Sequence, residues 1–171
     1  GKGKTTDYHN YVMSGGYRAL QSVISKTPVE VIAMVKDAGL VGRGGAAFPT
    51  GIKWEGASKT PGDEKFVICN ADEAEPGTFK DRVLMEDDPH SILEGMIIAA
   101  YAIGAKKGYF YIRGEYEMAY IAVKNAIREA HENHLLGENI LEQEFSFNIE
   151  IRRGAGAYIC GEETALFESI E

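Results

Sequence analysis

Cysteine is nearly absent: Cys69 and Cys160 are the only two in 171 residues, and no CxxC pattern surrounds them. Two such thiols cannot ligate an iron–sulfur cluster within this chain, and nothing requires them to pair, so two buried, reduced thiols are expected. Long apolar runs are lacking too. No stretch of 18 apolar residues and no signal-peptide pattern is present, so neither membrane spanning nor export is expected. Excess positive charge is also missing: 18 Lys and Arg stand against 26 Asp and Glu, a net charge of −8. That balance argues against a general surface for nucleic acid or anionic membranes.

The usual catalytic signatures are equally sparse. Ser14, Ser25 and Ser91 lack a nucleophile-elbow context. His131 and His134 are three positions apart, where a zinc pair on one helix face needs four. The opening GKGKTT has neither the earlier glycine nor the preceding strand of a P-loop, and reads as a frayed terminus.

Glycine, by contrast, is plentiful, and it concentrates in GRGGAAFPTGIKW, residues 42–54. Gly42, Gly44, Gly45 and Gly51 lie so close together that a helix or strand interior is not expected; an ordered loop is. From Gly39 to Trp54 there are two cations, Arg43 and Lys53, and no acid. Bare N–H groups flanked by Arg and Lys would cradle an anion, phosphate above all. A glycine-rich turn with solvated cations fits the same residues.

The rest of the chain alternates helical and strand patterns. Asp7 to Ser25 predicts two short helices broken at Gly15-Gly16. Thr27, Pro28 and Glu30 then open a helix with a capping box, carrying Ile32 and Val35 inward and stopping at Gly39. Ser58 to Glu64 reads as a polar connector. Phe66 to Cys69 reads as a strand buried on both faces, running at Asn70 into an acidic loop closed by Pro76-Gly77. Polar groups at the carboxyl end of a buried strand mark the usual ligand crevice of an open α/β sheet, although a solvated turn has the same composition. Asp88-Pro89 starts a helix to Gly104, with Ile92, Met96, Ala99, Ala100 and Ile103 on one face. Tyr109 to Arg113 is a strand, Glu115 to about His134 a long helix, and Phe147 to Arg152 an alternating strand. The last strand runs into GAGAY, and a further helix opens at Gly161. Gly154 and Gly156 suggest a dinucleotide fingerprint, but its third glycine falls at Ile159. The order predicts a layered α/β/α fold with a mainly parallel sheet.

Three segments, GRGGAAFPTGIKW (42–54), CNADEAEPGTFKDR (69–82) and GAGAYICGEETALFESIE (154–171), together resemble a family of FMN-containing, NADH-oxidising subunits of respiratory complex I, the NuoF or 51-kDa subunits. DPHSILEGMIIAAYAIGA (88–105) extends the likeness. Related subunits occur in NAD-linked hydrogenases and formate dehydrogenases. The resemblance implies an oxidoreductase, an NADH dehydrogenase in which hydride passes from NADH to FMN and single electrons leave through iron–sulfur clusters. It implies an N-terminal helical extension over residues 1–27 and an FMN/NADH-binding domain over 28–171.

It also implies a site. Gly42, Arg43, Gly44 and Gly45 would hold the dinucleotide, with Phe48 against the adenine and Lys53 on the flavin phosphate or ring. Asn70 and Asp72 would bind the flavin, and Glu75 would position the nicotinamide, so that no residue here is catalytic in its own right. Glu73 adds to the negative charge beside them. Tyr158, Gly161, Glu162 and Glu163 would lie along the flavin and the NADH ribose. The resemblance implies no metal in this chain, a [4Fe–4S] cluster only in the continuation of the parent subunit, and as partners a thioredoxin-like [2Fe–2S] subunit and an iron–sulfur subunit. No nucleic acid is implied, and a membrane only through the parent complex, on the cytoplasmic side. Ala47 and Gly56 depart from the family pattern, which more often has glycine and an aromatic there. A rival expectation is a folded piece with a structural or assembly role.

Overall fold

The computed structural model describes residues 5–42, 48–62, 64–71 and 80–154. Two short helices, α1 (Tyr8–Met13) and α2 (Arg18–Ile24), meet at the double glycine as expected. The two glycines do different work. Gly15 has φ +101°, open to a residue without Cβ, whereas a Cβ on Gly16 would lie 2.2 Å from the Tyr11 ring. Helix α3 (Pro28–Asp37) carries the complete capping box: Thr27 Oγ1 accepts from the Glu30 N–H, and Glu30 Oε1 accepts from the Thr27 N–H at 3.1 Å. Its buried residues are Val31 and Ile32; Val35, expected inside, is only half-buried.

The glycine segment is not a loop throughout. Helix α4 (Thr50–Lys59) takes in Gly51, Lys53 and Trp54, and also the first residues assigned to a connector. Gly51 lies at the closest approach of α3 and α4, where a Cβ would come within 2.8 Å of the Lys36 backbone. Tight helix packing explains that glycine better than ligand approach does.

Strand β1 (Phe66–Ala71) includes Asn70, which is therefore strand rather than loop. Helix α5 (Lys80–Asp87), which periodicity did not reveal, precedes α6 (Pro89–Ile103). Strand β2 (Lys107–Arg113), helix α7 (Glu117–Glu132), a short 3-10 turn at Ile140–Glu142 and strand β3 (Asn148–Gly154) complete the described elements. The strands form a parallel sheet in the order β1-β2-β3, so the α/β architecture is as expected. Cys69 is buried, again as expected, whereas Cys160 and the helix expected at Gly161 lie outside the described residues.

Alternate residues of the sheet divide between its faces. Val67, Cys69, Phe110, Ile112 and Ile149 belong to the main core, together with the inner faces of α6 and α7. Ile68 and Tyr111 are buried on the other face beside Tyr109. Tyr11, Tyr17, Leu20 and Val23 bring α1 and α2 into the main core as well. Among the described residues no helix is long and apolar enough to cross a membrane, and no His, Cys, Asp and Glu cluster could hold a metal ion.

Candidate flavin and nucleotide site

The described ends of the glycine segment come together as a closed neck. The Gly42 N–H donates to the Phe48 carbonyl at 3.0 Å, the Thr50 N–H donates to the Leu40 carbonyl at 2.9 Å, and Val41 and Pro49 form an antiparallel bridge. Gly42 itself is not sterically obligatory, because a Cβ there would meet only the Phe48 carbonyl oxygen, at 3.8 Å.

The neck delivers the chain directly into α4. Its N-cap is Pro49, which has no side chain to satisfy the first N–H groups, and the first turn contains no acid. The Thr50 N–H is already bonded to the Leu40 carbonyl, and the positive end of the helix dipole would favour an anion at the N–H groups that follow it. Lys53, one turn along, adds a cation on the same short helix, and Phe48 offers a half-exposed aromatic ring at the neck. This combination suits a phosphate-bearing cofactor with flat aromatic parts.

Asn70 belongs to a different element. It lies near the carboxyl end of β1, in register with Tyr111 of β2, which is in turn paired with Arg152 of β3. Its amide can donate and accept, which fits the polar edge of a flavin, and it stands where an open parallel sheet places its ligand crevice. Of the expected site residues, Gly42, Phe48 and Lys53 are thus gathered around one neck and helix, and Asn70 marks a strand end. Arg43, Gly44, Gly45, Asp72, Glu73, Glu75, Tyr158, Gly161, Glu162 and Glu163 lie outside the described residues.

A second polar constellation is not evident from the sequence. His90 is fully buried on α6, and Glu94 one turn later is 6% exposed. Glu94 Oε1 accepts from the Tyr17 N–H and Oε2 from the Leu20 N–H, both at 3.0 Å, while the Tyr11 hydroxyl donates to Oε1. The first turn of α2 has no side-chain cap of its own, and Glu94 of α6 supplies one. Tyr17 Oη lies 2.6 Å from His90 Nδ1, and His90 Nε2 lies 3.1 Å from Glu129 Oε1. A carboxylate only accepts, so Nε2 carries the proton and Nδ1 accepts from the tyrosine. The available signal was a His and a Glu at i and i+4 inside the apolar stripe of α6.

An open parallel α/β sheet, with a helix start behind a glycine neck and a polar strand end, is the kind of arrangement on which nucleotide- and flavin-binding domains are built. The profile of the Nuo51 FMN-binding domain matches residues 35–171, and the chain belongs to that family, the flavin-binding subunits of complex I. It is 56% identical over 162 residues to the second F subunit of the NADH-quinone oxidoreductase of Rhizobium meliloti, covering 94% of this chain and 38% of that protein. To the NADP-reducing hydrogenase subunit HndC of Solidesulfovibrio fructosivorans it is 52% identical over 162 residues, covering 95% of this chain and 33% of that one. The crystal structure of an NAD+-reducing [NiFe]-hydrogenase in the air-oxidized state superposes with a TM-score of 0.65 at 46% identity, covering 81% of this chain and 22% of that one. The chain therefore spans little more than a third of the length of these curated relatives.

Proposed function

We propose that this chain is the FMN- and NADH-binding part of an NADH dehydrogenase flavin subunit of the complex I type, with residues 28–171 as the binding domain and 1–27 as its N-terminal extension. The observation that carries the reading is the closed glycine neck opening into the uncapped, acid-free N-terminus of α4, in a member of an FMN-binding family. When bound, FMN supplies the chemistry: it takes a hydride from NADH and passes electrons on singly. The protein binds and orients. Gly42, Arg43, Gly44 and Gly45 receive the dinucleotide, Phe48 flanks its adenine, and Lys53 neutralises flavin phosphate. Asn70 and Asp72 hydrogen-bond the flavin, Glu73 adds negative charge, and Glu75 orients the nicotinamide. Tyr158, Gly161, Glu162 and Glu163 complete the flavin and ribose contacts. A thioredoxin-like [2Fe–2S] subunit and an iron–sulfur subunit are the proposed electron-accepting partners, on the cytoplasmic side of a membrane-bound complex.

The likeness to hydrogenase chains favours a second reading in which the same domain reduces a nicotinamide cofactor with electrons arriving from a hydrogenase. The direction of electron flow, rather than the site, separates the two.

Titration of the purified chain with FMN, monitored by quenching of flavin fluorescence, tests the proposal. Saturable binding is expected, and NADH should then bleach the bound flavin. Lys53→Ala should weaken FMN binding by roughly tenfold to a hundredfold, the loss of a charge-assisted hydrogen bond of about 1.5–3 kcal/mol. Absence of FMN binding by the unmodified chain would overturn the function. Equal affinity in Lys53→Ala would remove that residue from the site.

A further inference from the structure

The chain has nine tyrosines, and the described ones stand in contrasting electrostatic surroundings. Three of them carry two cations each over the ring. Lys107 and Arg152 lie 5.7 and 5.0 Å from the Tyr109 centroid, and Arg82 and Arg113 both lie 5.7 Å from that of Tyr116. Lys124 and Arg153 lie 5.8 and 4.4 Å from Tyr120. Positive charge over a ring attracts its electrons and makes one harder to remove. Tyr11 and Tyr17 face a carboxylate instead. The Tyr11 hydroxyl donates to Glu94, and the Tyr17 N–H donates to the same group at 3.0 Å. Negative charge at that range makes an electron easier to remove.

Tyr17 also has a base. Its hydroxyl donates to His90 Nδ1 at 2.6 Å, and His90 Nε2 donates to Glu129 Oε1 at 3.1 Å. Both Tyr17 and His90 are buried. A phenol that loses an electron becomes a very strong acid, so its oxidation is easy only where a base already shares the proton. The Tyr17 proton has only to cross one existing hydrogen bond, and the imidazolium that results points its other N–H at a carboxylate. Tyr101, by comparison, donates to the Lys26 carbonyl, which takes up no proton. A path for the electron is present as well. Tyr8 is half-buried, and its ring centroid lies 6.0 Å from that of Tyr17 and 5.9 Å from that of His90.

We propose that Tyr17, with His90 and Glu129, is a one-electron redox site that traps oxidising equivalents delivered by a strong one-electron oxidant. The electron leaves Tyr17 for the oxidant by way of Tyr8, and the phenolic proton moves to His90 Nδ1. A neutral phenoxyl radical remains beside an imidazolium held by Glu129. A reductant that supplies one electron reverses both transfers. The site does not depend on the flavin-binding function proposed above.

Azide radical generated by pulse radiolysis tests it, since it takes one electron and becomes azide anion. The full chain is exposed to it, and phenoxyl radical is followed by optical absorption and by electron paramagnetic resonance. A long-lived neutral phenoxyl is expected in the unmodified chain. Tyr17→Phe, which removes only the hydroxyl, should abolish it, whereas Tyr116→Phe should leave it in place. Glu129→Gln keeps an acceptor for His90 Nε2 without the charge. It should shorten the lifetime about tenfold, the scale of one charge-assisted hydrogen bond. His90→Asn, which puts an amide in place of the base, should shorten it at least as much. Absence of a long-lived radical in the unmodified chain overturns the proposal, as does its persistence in Tyr17→Phe. An unaltered lifetime in His90→Asn overturns the role of the base, and in Glu129→Gln that of the carboxylate. Should His90→Asn fail to fold by circular dichroism, Glu129→Gln decides the relay, because the Glu129 side chain is 21% exposed and tolerates the change.

Discussion

Tyr17 occupies the left-handed region at φ +64°, a conformation that costs a non-glycine residue energy unless its surroundings compensate. Here they do: the ring is buried, its N–H donates to Glu94 and its hydroxyl to His90. Burial is also the main reason its phenol is pushed well above the ordinary value of 10.0, with the neighbouring Tyr11 and Glu94 adding to the effect. The Tyr11 phenol is raised first by burial and then by its hydrogen bond to Glu94. The sign is direct. Unfolded tyrosines lose their protons near pH 10 while these two keep theirs, so their contribution is complete below pH 10 and is lost as pH rises beyond it. Stability measured by urea unfolding should therefore fall with pH above about 10, and Tyr17→Phe should make the fall shallower. An identical slope in that variant would show that the phenol stays protonated for no energetic reason of the fold.

Among the helices, α4 contains two glycines with opposite consequences. Gly56 faces open space, where a Cβ would meet nothing within 4 Å. Gly56→Ala should therefore stabilise the chain by about 0.5–1 kcal/mol, the ordinary helix cost of glycine relative to alanine. Gly51 packs against the backbone of Lys36, so Gly51→Ala must separate α3 from α4 and should destabilise by about 1–3 kcal/mol. Urea midpoints of the two variants should move in opposite directions; a shared direction would mean that packing does not decide between them. The exposed Lys36–Glu55 pair, 3.0 Å apart, also spans α3 and α4 and draws the Glu55 carboxyl below its usual range. Beside a backbone contact of that kind it is a minor tie.

Across the described fold, residues far apart in sequence complete one another's hydrogen bonds. Removing residues 1–27 would strip Tyr11, Tyr17, Leu20 and Val23 from the core and leave the buried Glu94 without its N–H and hydroxyl donors. Apolar surface of α6 and α7 that these residues cover would meet water, a loss of burial that costs roughly 1.5–3 kcal/mol for each large side chain. The truncated chain should therefore lose its cooperative thermal transition by circular dichroism. A melting curve like that of the full chain would show that α6 and α7 tolerate the exposed face. In acid, the carboxyls of Glu30, Glu55 and Glu150 are held below their ordinary range by Thr27, Lys36 and Lys107 respectively, each as the leading cause. Their contributions are present at neutral pH and disappear as pH falls through that depressed range.

Elements with local signals are legible in the residues alone. The Thr27-Pro28-Glu30 start, the break at Gly15-Gly16, the apolar stripe of α6 and the alternation of β3 each depend on neighbours within one or two turns or a few pleats, and each is where it was expected. The family was legible because three widely spaced segments, 42–54, 69–82 and 154–171, together resemble its members. Packing settled the role of Gly51, which depends on the separation of α3 and α4, and the existence of α5, whose eight residues carry little periodic signal. It also settled that the glycine segment closes into a neck before turning helical at Thr50. The partners of His90 and Glu94 come from residues some 40 to 80 positions away, and no local pattern specifies which donors will be brought to a buried acceptor once the chain has packed.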